Sequence, residues 1–416
     1  MELKKYKLGE IADIIGGVAY RPSDICDYGI RILRGGNINS RNIMLKDDDV
    51  FLPLSYTDQE NQVHFGDTIL VASTGSVDVL GKAATCFEEI PFTQIGAFLR
   101  IIRPKEQCYT MLISIAVNSE YFAKYIKSQA RGTSINNITI NYLKEFEIYC
   151  PTNYLPICNL YSILENKILL NRKINQNLEA MAKQLYDYWF VQFDFPNEEG
   201  KPYKSSGGEM VWNEKLKREI PISWKTKLID DIAEIYNGAT PSTMNELNYG
   251  GDIVWITPKD LSDQKQKFVY QGERNISQVG YDSCSTHLLP SNTILMSSRA
   301  PIGLLAIAKT ELCTNQGFKS FVPKSGNTAI YLYYYLQYHI RQIEQLGTGT
   351  TFKEVSREDI LKFPILKPSD NVLDLWEEMI SALNDRQLEI QKENESLTKQ
   401  RDELLPLLMN GQVLVG

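Results

Sequence analysis

Few side chains in this sequence have the type and spacing of a catalytic or metal-binding site. The stretch GSVDVLGKA (75–83) is the nearest to a phosphate-binding loop. Five residues separate its glycines where four are needed, and Ala83 stands where a magnesium-binding Ser or Thr is required. The three histidines, His64, His287 and His339, form no H-E-x-x-H motif, and the seven cysteines form no C-x-x-C pair. We therefore predict no catalytic residue, no metal ligand and no cofactor-binding residue on this chain.

Two classes of enzyme that act on DNA are also disfavoured by missing motifs. The sequence has no N-P-P-Y-type tetrapeptide, which amino-methyltransferases require. No nuclease pattern of paired carboxylates with a lysine stands out among the 51 acidic residues. A standalone methyltransferase or nuclease therefore stays only as an alternative, and activity of the purified chain by itself would favour it.

Composition places the chain among ordinary soluble proteins. Its 416 residues are 43% hydrophobic and 23% charged, which is typical of globular domains and sufficient for two or more cores. No apolar run approaches the roughly 20 residues of a membrane span, and the start MELKKYKLGE has no secretion signal. Scattered cysteines fit a reducing compartment, so we expect a cytoplasmic location. The net charge of −7 argues against a chain that wraps nucleic acid alone, because phosphates are neutralised by Lys and Arg.

The dominant feature of the sequence is an internal repeat. Five blocks recur in the same order: KLGEIADIIGG with KLIDDIAEIYNG, IRILRGGNI with IVWITPKDL, DTILVAS with NTILMSS, FTQIGAFLRIIRP with LCTNQGFKSFVP, and GTSINNITINYLKEFEIYCP with GTGTTFKEVSREDILKFPILKP. The matched positions are mostly apolar, so the two halves are expected to share a core and to differ in their surface loops. Short β-branched runs and longer helical runs alternate in each half. The predicted fold class is therefore α/β (α+β), with two similar mixed domains.

A long helix is predicted after each repeat. Residues Trp376, Leu383, Ile390, Leu397 and Leu404 are seven apart, and Ile174, Met181 and Tyr188 keep the same step in the first copy. A helix of this kind cannot bury its apolar stripe alone, so we predict that the two helices pair as an antiparallel coiled coil with pseudo-two-fold symmetry. The alternative is that each helix packs on its own domain.

The resulting domain prediction has five parts. These are a recognition domain (1–152), a central spacer helix (153–192), a linker (193–224), a second recognition domain (225–368) and a distal spacer helix (369–410). Two domains related in this way match the symmetry of dimeric DNA readers, which meet the duplex in successive turns. Because the loops of the two domains differ, a split and asymmetric DNA target is expected.

Polar residues in the loops between matched strands are the candidate DNA contacts, since base edges and phosphates are bound by such side chains. In the first repeat they are Arg34, Asn37, Ser73, Thr74, Ser76, Lys82, Arg131, Thr133, Ser134, Asn136 and Asn137. In the second repeat they are Thr257, Lys259, Ser297, Ser298, Arg299, Asn315, Lys319, Thr348, Thr350, Thr351 and Lys353. For each of them a solvated loop position or a helix cap is the alternative. The tyrosines of YLYYYLQY (331–338) have helical spacing, which favours core packing over base stacking.

The segment YDYWFVQFDFPNEEGKPYKSSGGEMVWNEKLKREIPISW (186–224) resembles the central region of specificity subunits of type I restriction-modification systems. The sequel KTKLIDDIAEIYNGATPS, the paired Gly-Thr segments and the distal heptads are also similar to that family, so the resemblance extends over the whole chain.

The resemblance implies two target-recognition domains that each read one half of a bipartite site, with the helices fixing the gap. It also implies two methylation subunits and restriction subunits as partners. S-adenosylmethionine, ATP and magnesium are expected on those partners, and this chain is expected to be non-catalytic and not membrane-bound. The alternative from another class is a coiled-coil scaffold that joins two protein-binding modules without reading DNA.

Overall fold

The computed structural model describes residues 3–39, 41–76, 79–129, 136–264, 266–348 and 353–409. The chain divides into two compact units. Unit 1 consists of Met1–Leu170 with Glu395–Gly416, and unit 2 consists of Asn171–Asn394. The boundary falls inside both long helices, so each unit contains one part of each helix.

Unit 1 is built from short strands and helices. Its strands are Leu3–Lys7 (β1), Ala12–Gly16 (β2), Ile30–Leu33 (β3), Ile38–Asn39 (β4), Asn42–Ile43 (β5), Val50–Leu52 (β6), Thr68–Val71 (β7), Ser73–Thr74 (β8), Ala83–Thr85 (β9), Thr93–Ile95 (β10), Leu99–Pro104 (β11), Asn136–Asn137 (β12) and Glu147–Pro151 (β13). Its helices are Leu8–Ile11 (α1), Tyr109–Val117 (α2), Glu120–Gln129 (α3), Ile140–Lys144 (α4) and the first part of Leu155–Tyr186 (α5).

Unit 2 repeats this plan. Its strands are Met210–Asn213 (β14), Arg218–Pro221 (β15), Lys225–Leu228 (β16), Ala233–Asn237 (β17), Tyr249–Ile253 (β18), Trp255–Ile256 (β19), Phe268–Val269 (β20), Ile294–Ser297 (β21), Leu305–Ala308 (β22), Cys313–Thr314 (β23), Phe318–Pro323 (β24) and Pro364–Lys367 (β25). Its helices are Ile229–Ile232 (α6), Pro258–Gln264 (α7), Gln278–Asp282 (α8), Ala329–Tyr338 (α9), Ile340–Gln345 (α10), Arg357–Leu361 (α11) and most of Asp370–Met409 (α12).

The central sheets of the two units share the order of four strands, and unit 2 adds a fifth strand, β20, at one edge. In unit 1 the order is β2-β11-β7-β9, and in unit 2 it is β17-β24-β21-β22-β20. Each sheet is covered by the helix that follows its longest strand, α2 in unit 1 and α9 in unit 2. The first strand of each repeat pairs antiparallel with the last, β1 with β13 and β16 with β25. The two halves therefore share a fold as well as a sequence pattern.

A parallel strand pair next to each sheet meets a glycine of the opening phrase. The strands are β3 with β10 in unit 1 and β19 with β23 in unit 2. A Cβ on Gly17 would lie 2.1 Å from the Gly96 carbonyl oxygen, and one on Gly238 would lie 2.2 Å from that of Asn315. Only glycine allows this approach, which explains why the opening phrase ends in glycine in both halves.

Four of the five tyrosines of helix α9 are buried, which confirms the prediction of core packing for them, while Tyr338 at the end of the helix is 53% exposed. Tyr331, Tyr333, Tyr334 and Tyr335 are all buried. The hydroxyl of Tyr335 donates to the Pro364 carbonyl at 2.7 Å, and that of Tyr331 donates to the Leu366 carbonyl. A buried tyrosine needs a partner for its hydroxyl, and strand β25 supplies it.

The segment expected to be a polar linker is folded in the structure. A five-residue π-helical turn, Asp187–Val191, ends the first long helix, and the hairpin β14–β15 follows. Phe193, Phe195 and Trp224 are buried together, and the guanidinium of Arg218 lies 4.4 Å from the Phe193 ring centre. The polar composition of the predicted linker (193–224) hid these aromatic residues, which lie near its two ends.

In the first long helix and the turn that ends it, the buried positions are shifted by one residue from the predicted positions. Met181 and Tyr188 are 49% and 37% exposed, whereas their neighbours Ala182 and Trp189 are buried. Ile174 is half-buried. The true stripe contains small and polar residues as well as apolar ones, so apolar character alone favours the wrong register. Met181 and Tyr188 are therefore corrected from pairing residues to surface residues.

The predicted stripe of the second long helix agrees better with the structure. Trp376 and Ile390 are buried, while Leu383 and Leu397 are half-buried. Leu404 is 36% exposed and is not a buried pairing residue. Within this helix the buried face also contains the amides of Asn384, Gln387 and Gln391 and the guanidinium of Arg401, which a pattern of apolar residues does not predict.

Polar side chains fix the contact of the helices in each unit. In unit 1, Nη1 of Arg401 lies 2.8 Å from Oε1 of Glu165, and both side chains are 5% exposed. In unit 2, Nδ2 of Asn171 donates to Oε2 of Glu393 at 2.8 Å. Asn175 there donates to the backbone carbonyl of Gln387 at 3.2 Å. In unit 2, residue numbers rise along one helix as they fall along the other, so the pairing is antiparallel.

Lys267, just before β20, joins both helices to the strands of unit 2. Its Nζ lies 3.1 Å from Oε2 of Glu179, 2.7 Å from Oδ1 of Asn384 and 3.2 Å from Oε1 of Gln387. It also donates to the hydroxyl of Tyr334. Burial lowers the pKa of Lys267 to about 8, although Glu179 opposes this change. A buried charge is tolerated here because every proton of the ammonium has an acceptor.

We expect Gly17→Ala to lower the free energy of unfolding by about 1–3 kcal/mol, because the backbone of Gly96 cannot yield to a new Cβ. Gly16→Ala is the matched control, since a Cβ there meets no atom within 4 Å. Denaturant unfolding of the purified full chain measures both. Equal stabilities of the two variants would contradict the close-approach argument.

We expect Lys267→Met to lower the free energy of unfolding by about 3 kcal/mol, because Glu179 then loses its buried cation. Between about pH 8 and 10.5, the unfolded chain binds a proton at Lys267 that the folded chain has lost. The stability of the wild type should therefore rise with pH relative to the variant over this window. Chemical unfolding at several pH values measures the difference, and Lys362→Met, at an exposed lysine of the same unit at the end of α11, is the control. Parallel pH profiles for wild type and Lys267→Met would contradict the assignment.

Candidate nucleic-acid interface

Each unit has an edge where two loops leave a parallel pair of strands side by side. In unit 1 the amide of Gly96 donates to the Leu33 carbonyl at 2.9 Å. In unit 2 the amide of Asn315 donates to the Ile256 carbonyl at 3.0 Å. The loops that start at Leu33 and Gly96 in unit 1 are therefore neighbours, as are the loops that start at Ile256 and Asn315 in unit 2. We call these the strand-end loops.

The strand-end loops of unit 2 contain three predicted residues, Thr257, Lys259 and Asn315. The amide and hydroxyl of Thr257 both donate to Oδ2 of Asp260 at 2.7 Å, which caps helix α7. Oδ1 of Asn315 accepts from the amide of Gly317 at 2.9 Å. Lys259 forms an ion pair of 2.7 Å with Glu273, and its side chain is 63% exposed. Thr257 and Asn315 thus shape the loops, while Lys259 lies at their surface.

In unit 1 the matching loop begins with Arg34, which is exposed and donates from Nη2 to the Asp48 carbonyl at 3.0 Å. Asn37 was predicted as a contact residue, but it is buried. Its Oδ1 accepts from the amide of Arg34, and its Nδ2 donates to Oδ1 of Asp49 at 2.6 Å. Asn37 is therefore corrected from a DNA contact to a residue that organises this loop.

A second group of predicted residues meets around Glu354 in unit 2. Oε2 of Glu354 lies 2.9 Å from Nε of Arg299, and Oε1 lies 3.1 Å from Nζ of Lys319. The backbone of Glu354 exchanges two hydrogen bonds of 3.0 Å with that of Thr348. One carboxylate thus faces two cations, and a third cation, Lys353, is exposed next to it in sequence.

The charge state of Glu354 follows from these contacts. Burial by itself would raise its pKa, but the hydrogen bonds from Lys319 and Arg299 hold the pKa below its ordinary value. The carboxylate is therefore ionised at neutral pH. It positions Arg299, whose side chain is 51% exposed, while Lys319 lies beneath the surface.

Three predicted contacts of unit 2 are interior groups. Ser297 and Ser298 are fully buried, and their hydroxyls donate to the carbonyls of Pro301 at 2.6 Å and Gly317 at 3.2 Å. Lys319 is 6% exposed. Their hydrogen bonds hold loops together, so these residues are corrected from direct contacts to supports of the surface above them.

In unit 1 the corresponding surface contains the two-stranded pairing of β8 with β12. Ser73 and Thr74 are half-buried, and Oγ1 of Thr74 accepts from the amide of Ser76 at 3.2 Å. Asn137, Ser76 and Lys82 are exposed. Among the described residues of this surface, Ser73, Thr74, Ser76 and Asn137 carry hydroxyl or amide groups and Lys82 carries a charge, whereas the surface around Glu354 in unit 2 consists mainly of charged groups.

Five predicted contact residues lie outside the described residues. They are Arg131, Thr133, Ser134, Thr350 and Thr351. Asn136 lies in β12, and only its backbone is described. The DNA-contact role of all these residues stays a prediction.

Two residues that the sequence analysis missed belong to these edges. Arg100 in unit 1 is half-buried and donates from Nη1 to the carbonyls of Ala97 at 2.8 Å and Leu99 at 2.6 Å. It stands at the second position of β11, as Lys319 does in β24, so the repeat itself contained the signal. Gln316 in unit 2 is exposed between Asn315 and Gly317, and only its solvent exposure distinguishes it.

Among the helices of the described residues, none combines the length and the apolar character that a membrane crossing requires.

Comparison with known sequences connects the chain to one family. Residues 221–395 match the family described as Type I restriction modification DNA specificity domain. Over 183 residues the chain is 39% identical to the type I restriction enzyme MjaIX specificity subunit of Methanocaldococcus jannaschii, covering 44% of this chain and 42% of that relative. Over 375 residues it is 27% identical to the HindI specificity subunit of Haemophilus influenzae, covering 77% of this chain and 80% of that relative. The chain thus spans less than half of the first relative and four fifths of the second.

A solved structure has the same fold. The S subunit of the type I restriction-modification system from M. genitalium superposes with a TM-score of 0.55 at 15% identity. The match covers 98% of this chain and 96% of that chain. At this identity the likeness shows the shared fold.

Proposed function

We propose that this chain belongs to the specificity subunits of type I restriction-modification systems and that it recognises a split, asymmetric site in double-stranded DNA, each unit reading one half. One observation carries the proposal. The two units place their strand-end loops on an equivalent parallel strand pair, yet the exposed side chains of these loops differ, with Arg34 in unit 1 and Lys259 in unit 2. A shared scaffold with different loops is what two readers of different half-sites need.

The charges near these loops support contact with a phosphate backbone. Arg299 and Lys353 are exposed in unit 2, and Lys82 is exposed in unit 1. Contacts of this kind position a protein on the duplex, whereas base edges supply sequence discrimination. Because the whole chain has a net charge of −7, we propose that partner subunits contribute much of the positive surface that DNA requires.

We propose that this chain is non-catalytic and that it assembles with two methylation subunits and with restriction subunits in the cytoplasm. S-adenosylmethionine, ATP and magnesium would bind to those partners. The methylation subunits would have to turn the target adenine out of the stack, because the reaction cannot reach it inside the duplex. Exposed apolar side chains on the helices of unit 2, at Met181, Tyr188, Leu375 and Met379, support a role in holding partner proteins.

The same apolar side chains also fit the alternative of a scaffold that joins two protein-binding modules. The two candidates differ in their response to salt. Phosphate contacts release counterions, so DNA recognition predicts an affinity that falls steeply as salt is raised. A scaffold predicts no such dependence, since it does not bind DNA.

The proposal is tested by sequencing the methylome of a host strain with and without the gene for this chain. Loss of N6-methyladenine at one split, asymmetric motif is the expected result, and it identifies both half-sites at once. Retention of every methylated motif, with the partner subunits shown to be expressed, would overturn the proposal.

We expect Lys353→Ala to weaken binding to all duplexes alike and to reduce the slope of log affinity against log salt by about 1, as for loss of one phosphate contact. Lys362→Ala is the matched control, because Lys362 is an exposed lysine of the same unit at the end of α11. Salt titrations with the assembled complex and a set of duplexes measure the slope. A loss confined to one sequence would contradict a phosphate contact at Lys353.

A further inference from the structure

We propose that Gln316, oriented by Thr240, reads an adenine in the half-site of unit 2. This inference rests on the proposed DNA-recognition function and adds to it a residue, a positioning partner and a base. It follows from the way in which the loop around Gln316 is held and from the hydrogen-bonding groups that its side chain leaves free.

The loop of Gln316 is fixed by the backbone on both sides of the residue. The amide of Asn315 donates to the Ile256 carbonyl at 3.0 Å, and the amide of Gly317 donates to Oδ1 of Asn315 at 2.9 Å. The Gly317 carbonyl accepts from the amide of the buried Ser298 at 2.8 Å and from its hydroxyl at 3.2 Å. Gln316 is the exposed residue of a loop whose neighbours are all tied down, which is the rigid support that a reading side chain needs.

A second segment of unit 2 reaches the side chain of Gln316 itself. Gly238 allows the chain to pass against Thr314 and Asn315, and the next amide, that of Ala239, donates to the Thr314 carbonyl at 2.9 Å. This places Thr240 beside the loop, where its hydroxyl donates to Oε1 of Gln316. The amide group of Gln316 is thereby oriented before any ligand arrives.

The groups that remain on Gln316 match one base. Its Nε2 has no hydrogen-bond partner in the described part of the chain, and Oε1 keeps a second lone pair beside the Thr240 bond. Adenine offers an acceptor at N7 and a donor at N6 in the major groove, which a glutamine amide satisfies with two bonds. Guanine offers two acceptors, N7 and O6, so Oε1 would face another acceptor. The hydrogen bond from Thr240 therefore favours adenine.

Unit 1 has no equivalent amide at this position. The repeat aligns Ala97 with Gln316, because Arg100 and Lys319 occupy the same place in β11 and β24. Ala97 is followed by Phe98, whose side chain is 66% exposed. An apolar side chain contacts a base without a hydrogen-bond pattern, so the adenine contact belongs to the half-site of unit 2 alone.

The experiment compares methylomes of host strains that contain the complete system with wild-type, Gln316→Ala or Gln316→Glu chains. We expect Gln316→Ala to relax discrimination at one A·T pair of one half-site by about 10- to 100-fold, while the other positions stay fixed. We expect Gln316→Glu to shift the preference at that position toward cytosine, whose N4 amino group donates to a carboxylate. Gln278→Ala is the control, since Gln278 is an exposed glutamine of the same unit that bonds to Asp282.

Thr240 is tested as a positioning residue. We expect Thr240→Val to relax the same base pair as Gln316→Ala, by a smaller factor, because the amide is still present but no longer oriented. Thr240→Ser keeps the hydroxyl and should restore discrimination. Relaxation at a different position, or equal behaviour of the Val and Ser variants, would overturn the positioning role.

The outcomes separate this inference from the function on which it rests. A wild-type strain without a split methylated motif would overturn the proposed function itself. A normal wild-type motif that Gln316→Ala leaves unchanged, or relaxes at a G·C pair, would overturn the adenine assignment alone. If Gln316→Ala and Gln316→Glu both abolish methylation while Gln278→Ala retains it, Gln316 is a structural residue and the inference is wrong.

Discussion

Both candidate interfaces depend on a close approach of backbone to backbone at one glycine in each unit. A Cβ on Gly17 or Gly238 would lie only 2.1 or 2.2 Å from a backbone carbonyl oxygen of the neighbouring segment. The amides that follow, at Val18 and Ala239, then donate to the second strand of the parallel pair at 2.8 and 2.9 Å. Three segments are joined in this way by main-chain hydrogen bonds, which do not depend on side-chain identity. The loops that leave this junction are therefore free to differ while their origin stays fixed.

The long helices follow a different rule, because their contacts are made largely by polar side chains. Glu165 with Arg401 in unit 1, and Glu179 with Lys267 in unit 2, are ion pairs largely removed from solvent. Such pairs gain little net stability over apolar contacts, but a misplaced partner leaves a buried charge uncompensated. They are therefore suited to selecting one alignment of the helices over others shifted by a turn, which apolar stripes tolerate more readily.

The repeat, the fold class and the existence of both helices were predictable from sequence, because they depend on apolar periodicity and on glycine. Large apolar residues did not predict which face of the first long helix is buried, since the small Ala182 is buried and Met181 is exposed. Likewise, polar residue type alone could not separate exposed Arg34 from buried Asn37, or exposed Arg299 from buried Ser298. A hydrogen-bonding side chain serves equally well to bind a ligand or to close a loop, and only the positions of its neighbours decide which. The repeat also contained the equivalence of Arg100 and Lys319, but this equivalence becomes apparent only when β11 is aligned with β24.

The folded segment that separates the two repeats has a practical consequence for producing half of this protein by itself. Phe193 and Phe195 pack edge-on and face-on against Trp224, and Asp194 accepts hydrogen bonds from the amide and hydroxyl of Ser205. A fragment that started at the second sequence repeat, near Lys225, would lack all three of these rings, which belong to the interior of unit 2. A soluble half-length fragment should therefore begin upstream of Phe193. Limited proteolysis of the intact chain should likewise spare this segment, although its composition of Pro, Gly and Ser resembles that of an open hinge.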